Sequence, residues 1–277
     1  MMDRKHRLVG AAVVAAVVAA LVLALLVNGR DGSAPDPPAS PTAVARASTT
    51  PVASAKSPLL PLKTGDRVLF LGDSLTQLGG LSREWTTEPF DGSGWISVLS
   101  RMAAANAPEL RLEFTNRGVS GDVVPDLLAR LQADVLDARP DVVVVYIGIN
   151  DVWSAPRGAG TPAPDFASGL TRLVRSLRDA GIRVLVCTPT VIGEMAPGDN
   201  QFDDVLQRYT RVSARVAHDL GVPVCDLSAA FRSWLMKRNT RNVASGLLTT
   251  DGVHLTDAGN RLVARTVAKA LDLEGSV

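Results

Sequence analysis

Four short polar clusters hold the residue types that acyl-transfer chemistry needs: "GDSL" (72–75), "NRGVSGD" (116–122), "GIND" (148–151) and "DGVHLTDAG" (251–259). A serine hydroxyl is a weak nucleophile at neutral pH, so Ser74 needs a base to take its proton. A histidine serving as that base needs a partner that fixes its tautomer and stabilises the imidazolium. Asp251 and His254 can supply the pair, because a spacing of three puts both side chains on one side of a single turn. The carboxylate then reaches one ring nitrogen and leaves the other for Ser74. The other two histidines fit this role less well. His218 falls near a helix C-terminus, where the dipole favours it, and His6 belongs to the N-terminal tail. The plain alternative for Ser74 is a helix N-cap, a position where serine is favoured.

A tetrahedral intermediate also needs donors around its oxyanion, each worth about 3 to 4 kcal/mol. Three candidates are present. The backbone N–H of Ser74 would sit at a helix start, where N–H groups and the dipole favour negative charge. The N–H of Gly121 has no side chain in the way. Asn150 offers a side-chain amide that does not titrate. Asp73 and Asp151 are read as loop braces. Leu75, Trp153 and Val253 flank these positions and are expected to contact substrate, although a tryptophan such as Trp153 serves equally as a core or loop anchor.

The elements that must position these residues follow from hydrophobic patterning. Five short runs rich in Val, Ile, Leu and Phe occur at 67–71, 111–115, 141–147, 182–187 and 222–225, between longer amphipathic segments at 94–106, 123–138, 166–181, 202–221 and 261–271. Continuous apolar runs are strands buried on both faces, and strand–helix alternation implies a parallel sheet covered by helices on both sides. The expected fold is α/β: a three-layer α/β/α sandwich on a five-stranded parallel sheet, with 67–71 as its central strand. Gly181 and Gly221 stand where helix C-caps belong. Ligands bind such sheets beyond the carboxyl ends of the strands, and three of the four polar clusters follow a strand end.

In this order and with these separations, "GDSL", "NRGVSGD", "GIND" and "DGVH" resemble the conserved blocks of the SGNH hydrolases, also called GDSL esterases and lipases. The likeness covers residues 66–272. It implies the flavodoxin-like SGNH hydrolase fold, a nucleophile at Ser74, the Asp251–His254 pair, and oxyanion donors at Ser74, Gly121 and Asn150. Ile149 stands where many members have a second glycine, a departure that leaves the asparagine untouched. The other large serine-hydrolase class requires Gly-x-Ser-x-Gly, and position 76 is Thr.

The first 63 residues differ in kind. After "MMDRKHR", residues 8–27 contain no charge, long enough to span a bilayer. No small-residue cleavage site follows closely, so a retained membrane anchor is expected, with a cleaved export signal as the alternative. Arg4, Lys5 and Arg7 place the short tail, 1–7, on the cytoplasmic side. Residues 28–63, rich in Pro, Ala, Ser and Thr, read as a disordered tether. The catalytic domain is expected over 64–277.

Composition narrows the chemistry further. Of 277 residues, 46% are hydrophobic and 21% charged, which suits a buried core. The net charge is +1 overall, and seven basic against three acidic residues up to Lys63 leave −3 for 64–277. That is no footprint for nucleic acid, and the one basic run, 236–241, reads as a solvated helix end. Two cysteines and three histidines lack the spacing of a zinc site, so no metal or cofactor is expected. Cys187 and Cys225 fall near strand ends, where parallel neighbours seldom offer disulfide geometry.

The expected activity is that of an exported, metal-independent serine esterase forming an acyl-enzyme on Ser74. Short acyl esters of carbohydrates are the first expectation for its substrate. Lipid or lysophospholipid esters, or transfer of the acyl group to a sugar, would use the same residues. A tethered carbohydrate-binding module without catalysis is the alternative from another class.

Overall fold

The apolar runs form strands, and their neighbours in space are set by a single reversal of direction along the sheet. The computed structural model describes residues 58–80 and 83–274. Strands β1 (Arg67–Gly72), β2 (Glu113–Gly118), β3 (Val142–Tyr146), β4 (Arg183–Cys187) and β5 (Val224–Cys225) pair in the order β2-β1-β3-β4-β5, every pairing parallel. The chain runs from β1 outward to β2, then returns to lay β3 on the other side of β1. The point of reversal is the crevice in which α/β sheets of this order bind ligands. The middle strand is therefore β3, not the 67–71 run, and its "VVVVY" is buried throughout.

Eight α-helices are described: α1 (Ser74–Gln77), α2 (Trp95–Asn106), α3 (Val124–Ala129), α4 (Ile149–Trp153), α5 (Ala163–Asp179), α6 (Asp203–Asp219), α7 (Leu227–Arg238) and α8 (Asp257–Ala270). Six of them form two sets, α2, α7 and α8 on one side and α3, α5 and α6 on the other, which cover a sheet that is apolar on both faces. Gly181 and Gly221 close α5 and α6 as expected. The Gly181 N–H donates to the Arg178 carbonyl and the Ile182 N–H to that of Leu177, and Gly221 and Val222 repeat the pattern on His218 and Ala217.

Three differences from the sequence reading matter. Strand β2 lies two to three residues later than 111–115, so Asn116, Arg117 and Gly118 belong to the strand and not to the loop after it. A polar residue is tolerated there because the buried Asn116 side chain is fully used. Its Nδ2 donates to the carbonyls of Thr76 (2.8 Å) and Gly80, and its Oδ1 accepts from the Gly118 N–H. The amphipathic segment 123–138 is broken, with α3 ending at Ala129 and a π-type turn spanning Gln132–Leu136. The basic run lies at a helix end as expected, but the helix it closes, α7, is not among the expected segments, because its amphipathic pattern is weak.

The tether is shorter than expected at its distal end, because the Leu60 N–H donates to the Ala270 carbonyl, Arg183 bonds the Pro61 carbonyl, and Leu62 is in the core. The expected tail, the apolar run 8–27 and the tether up to residue 57 lie outside the described residues. Among the described residues, no helix is long and apolar enough to cross a membrane. Cys187 and Cys225 are partners in the β4–β5 register and are free, buried thiols.

Trp95 couples this core to the first polar cluster. It is fully buried, stands edge-on to Phe70 of β1 with centroids 5.2 Å apart, and donates its indole N–H to the Leu75 carbonyl in α1 at 2.9 Å. Trp95→Ala removes the ring, its cavity lining and its indole hydrogen bond to α1. It is expected to cost about 3–5 kcal/mol in urea unfolding, and a loss under 1 kcal/mol would show that the ring is not a principal core element.

Candidate active site

Strand β1 delivers its terminal residues into a confined place. Gly72 is in register with Gly118 of β2 and Tyr146 of β3, and a Cβ there would run into the Tyr146 carbonyl oxygen and Thr76 Oγ1. Only glycine fits so close an approach. Asp73 follows as the N-cap of α1, its Oδ1 accepting the Leu75 N–H at 2.9 Å. Ser74 is thus the first helical residue and not the cap, which leaves its hydroxyl without a structural task. The Ser74 side chain lies 3.1 Å, Oγ to Nε2, from His254.

His254 is held by its own turn. Asp251 Oδ2 meets His254 Nδ1 at 2.7 Å, while Oδ1 accepts the N–H groups of Val253 (3.0 Å) and His254 (2.8 Å). The Thr250 N–H closes the turn on the His254 carbonyl at 2.7 Å. A carboxylate only accepts, so Nδ1 carries the proton and Nε2 is left to accept from Ser74. Burial pushes the Asp251 carboxyl up, but the hydrogen bonds from the His254 ring and from the two N–H groups outweigh it and hold the group below its ordinary range. The pair stands at the surface: the Asp251 side chain is 46% exposed and that of His254 30%.

The segments that carry the proposed oxyanion donors are joined by hydrogen bonds. The Val119 N–H donates to the Gly72 carbonyl at 3.0 Å and the Ser120 N–H to Gln77 Oε1 at 2.8 Å, seating the segment that carries Gly121 against α1. Asn150, near the start of α4, donates its amide to the carbonyl of Asp122 at 3.1 Å. Among the described residues, no acceptor takes the N–H of Ser74 or Gly121. The reason for glycine at 121 differs from the expected one. A Cβ there would meet open space, but φ is +87°, a conformation that side chains resist.

Two residues that sequence reasoning missed hold these loops together. The Arg130 guanidinium donates to Asp122 Oδ2 (2.8 Å), Asp134 Oδ2 (2.6 Å) and the Gly72 carbonyl (3.1 Å), tying the end of β1 to the residue after Gly121. Its place in an ordinary helical pattern left no signal. Asn116, within the quoted block, could have been singled out as a polar residue closing an apolar run.

Of the residues expected to contact substrate, Leu75 and Val253 are buried, 2% and 1% exposed, with side chains in the core, so that expectation is corrected. Ser74 and His254 come from separate segments, and in each the neighbouring apolar side chain faces the core. Trp153 is half-buried beside the site, its ring edge-on to His254 with centroids 6.1 Å apart, and Arg157 lies over it at 5.4 Å. Asp151 braces as expected, its Oδ1 accepting the Val124 N–H at 3.2 Å. Among the described residues, no three His, Cys, Asp or Glu side chains group as a metal site would require.

A parallel α/β/α sandwich with a Ser–His–Asp chain at the carboxyl edge of its sheet defines the class of serine hydrolases with an SGNH arrangement. The model of the GDSL-like Lipase/Acylhydrolase family matches residues 70–262, and the chain belongs to that family. It is 29% identical over 220 residues to an acetylxylan esterase of Geobacillus stearothermophilus, covering 76% of this chain and 96% of the relative. Among solved structures, the acetyl xylan esterase AlAXEase superposes with a TM-score of 0.68 at 34% identity, covering 74% of this chain and 99% of that one. Axe2, an acetylxylan esterase from Geobacillus stearothermophilus, gives 0.68 at 27%, covering 76% and 96%. The catalytic mutants of Axe2 replace a serine, an aspartate and a histidine, the last two three positions apart.

Behind Ser74 lie carboxyls that burial has made reluctant to ionise. Burial pushes Asp73 up to about 7, with the Leu75 N–H pulling the other way and the charges of Asp151 and Asp122 adding to the rise. Asp73 Oδ2 is buried without a hydrogen-bond partner. Burial likewise raises Asp151 to about 6 against hydrogen bonds from Thr161 and the Val124 N–H. Both groups bind a proton more tightly in the folded chain than in the unfolded one. Their stabilising contribution is therefore full below the ordinary carboxylate range and is lost as pH rises through about 6 to 7. Asp73→Asn keeps an acceptor for the Leu75 N–H but cannot ionise. Its thermal midpoint is expected to fall less between pH 5 and pH 8 than that of the wild type, and equal falls would contradict this reading of Asp73.

Proposed function

We propose that the chain is a serine esterase that removes short acyl groups, acetyl foremost, from carbohydrates by way of an acyl-enzyme on Ser74. The observation that carries this reading is the continuous chain Ser74 Oγ, His254 Nε2, His254 Nδ1, Asp251 Oδ2, with links of 3.1 and 2.7 Å.

In this mechanism Ser74 Oγ attacks the ester carbonyl carbon while its proton passes to His254 Nε2, and Asp251 stabilises the imidazolium formed. The carbonyl oxygen becomes an oxyanion that takes hydrogen bonds from the N–H groups of Ser74 and Gly121 and from the Asn150 amide. As the tetrahedral intermediate collapses, the C–O bond to the alcohol breaks and His254 returns the proton to the leaving oxygen. Water then attacks the acyl-enzyme, giving up its proton to His254, and releases the carboxylic acid and the Ser74 hydroxyl. No step calls for a metal.

The carbohydrate assignment is supported by the acetylxylan esterases to which the chain is similar. The exposure of Asp251 and His254 supports it too, since an ester borne on a polymer must be reached at an open surface. The charge-free run 8–27 leads us to place the domain outside the cytoplasmic membrane, on a tether.

The test compares wild type, Ser74→Ala and Asn150→Ala on p-nitrophenyl esters of increasing chain length and on acetylated xylan. Ser74→Ala is expected to lower kcat by more than about 1,000-fold and Asn150→Ala by about 100- to 1,000-fold, with acetyl esters preferred and chelator without effect. Equal rates for Ser74→Ala and wild type would sink the proposal, and a preference for long acyl chains would move it to a lipase.

A further inference from the structure

The turn bearing Asp251 and His254 hangs on a residue from a different part of the chain. Glu194 follows β4, lies in the loop 191–201, and is 1% exposed. Its Oε1 accepts the N–H of Leu248 (2.7 Å), the N–H of Thr249 and the hydroxyl of Thr249 (2.7 Å), and its Oε2 accepts the N–H of Leu247 (3.0 Å). One buried carboxylate thus binds three consecutive backbone N–H groups just before Asp251. Among the described residues no lysine or arginine pairs with it, so backbone and hydroxyl dipoles alone balance its charge. Burying an anion in this way is costly, and a core would ordinarily avoid it.

The bonds around Glu194 fix where that turn can lie. The Glu194 N–H donates to the Ala244 carbonyl (2.9 Å), and its own carbonyl accepts from Asn239 Nδ2 (2.7 Å) at the end of α7. One residue earlier, the Gly193 N–H donates to the carbonyl of Gly252 at 2.8 Å, between Asp251 and His254. The segment 247–249 that Glu194 grips is in turn paired to the far side of the turn. Thr249 bridges Leu255, and the Thr256 N–H and hydroxyl bond the carbonyls of Leu248 and Leu247 at 2.9 Å each. The turn's root and tip are therefore both registered to 193–194, and any slip at Glu194 moves His254 Nε2 relative to Ser74 Oγ.

We propose that Glu194 is a positioning residue for the reaction: it sets the Asp251–His254 turn at the distance from Ser74 that proton transfer requires. A carboxylate suits the place because both of its oxygens only accept, whereas a glutamine would turn a donor towards the Leu247 N–H. This inference rests on the proposed roles of Ser74, His254 and Asp251.

The test is Glu194→Gln, alone and combined with Asp251→Asn, with kcat and KM measured on p-nitrophenyl acetate and folding checked by thermal melting. Misplacement of a reacting group by about 1 Å costs on the order of 100-fold, so Glu194→Gln is expected to lower kcat about 10- to 100-fold. KM should change by less than about threefold, because the expected loss lies in the proton-transfer step and not in ground-state binding. In the Asp251→Asn background the same change is expected to cost less than about threefold, since the pair it positions is already broken. Wild-type kcat in folded Glu194→Gln, or an undiminished cost in the Asp251→Asn background, would overturn the proposal. Should Glu194→Gln fail to fold, Thr249→Val, which removes only the hydroxyl donor, must show a smaller loss of kcat with the same non-additivity. If wild type itself hydrolyses no ester, the functional reading fails. If wild type is active and Asp251→Asn is impaired while Glu194→Gln is not, only the role of Glu194 fails.

Discussion

The contact on which the site depends joins two groups 180 residues apart: a hydroxyl at the end of the first strand and a ring nitrogen from a turn just before the last helix, 3.1 Å from each other. Neither group is useful alone. The proton on Nδ1 is fixed by Asp251, the orientation of Ser74 by the Asp73 cap, and the separation by how the two loops are seated. Each of these is a local interaction, but their common effect is a distance that sequence proximity cannot set. The sheet makes such a distance possible because parallel strands deliver the loops after β1, β2 and β3 to one edge, and the reversal between β1 and β3 leaves room there.

The same edge concentrates interactions that a stable core would avoid. Asp73 and Asp151 are buried and raised by desolvation, and Asp122 is raised for the same reason despite its ion pair with Arg130. Glu194 is an anion held by dipoles alone. These groups carry a folding cost that the apolar sheet and its helices offset. In return, loops are fastened together in two groups: Arg130 spans the end of β1 and Asp122, and Asn150 reaches the Asp122 carbonyl, while Glu194, after β4, grips the approach to Asp251. A site made of loops gains its rigidity from such cross-links.

Much of this was legible in the chain, for physical reasons that also explain what was not. Apolar runs bounded by Gly and polar clusters located all five strands, and the alternation with helices implied the parallel sandwich, because burial on both faces leaves few other arrangements. Ser74, Gly121, Asn150, Asp251 and His254 were singled out because acyl transfer needs those residue types, the first three in segments that follow strands and the last two in a loop before the final helix. The strand order agrees with the flavodoxin-like fold that the family resemblance implied, but that β3 and not 67–71 lies in the middle depends on the crossover direction, which no local pattern records. Side-chain direction was also hidden. Leu75 and Val253 neighbour Ser74 and His254 in sequence but face the core, and neither position shows a periodicity that reveals this before the chain is folded. Arg130 and Glu194 act through distant backbone groups, and such partners are invisible until the chain is folded.

The central claim is that His254 activates the hydroxyl of Ser74. The most direct measurement is intact-protein and peptide mass spectrometry after exposure to an alkyl fluorophosphonate, with rates followed in wild type and in His254→Ala. The account predicts a single adduct on the peptide containing Ser74, forming at least about 100-fold more slowly in His254→Ala. An adduct on another residue, or equal rates in the two proteins, would contradict it.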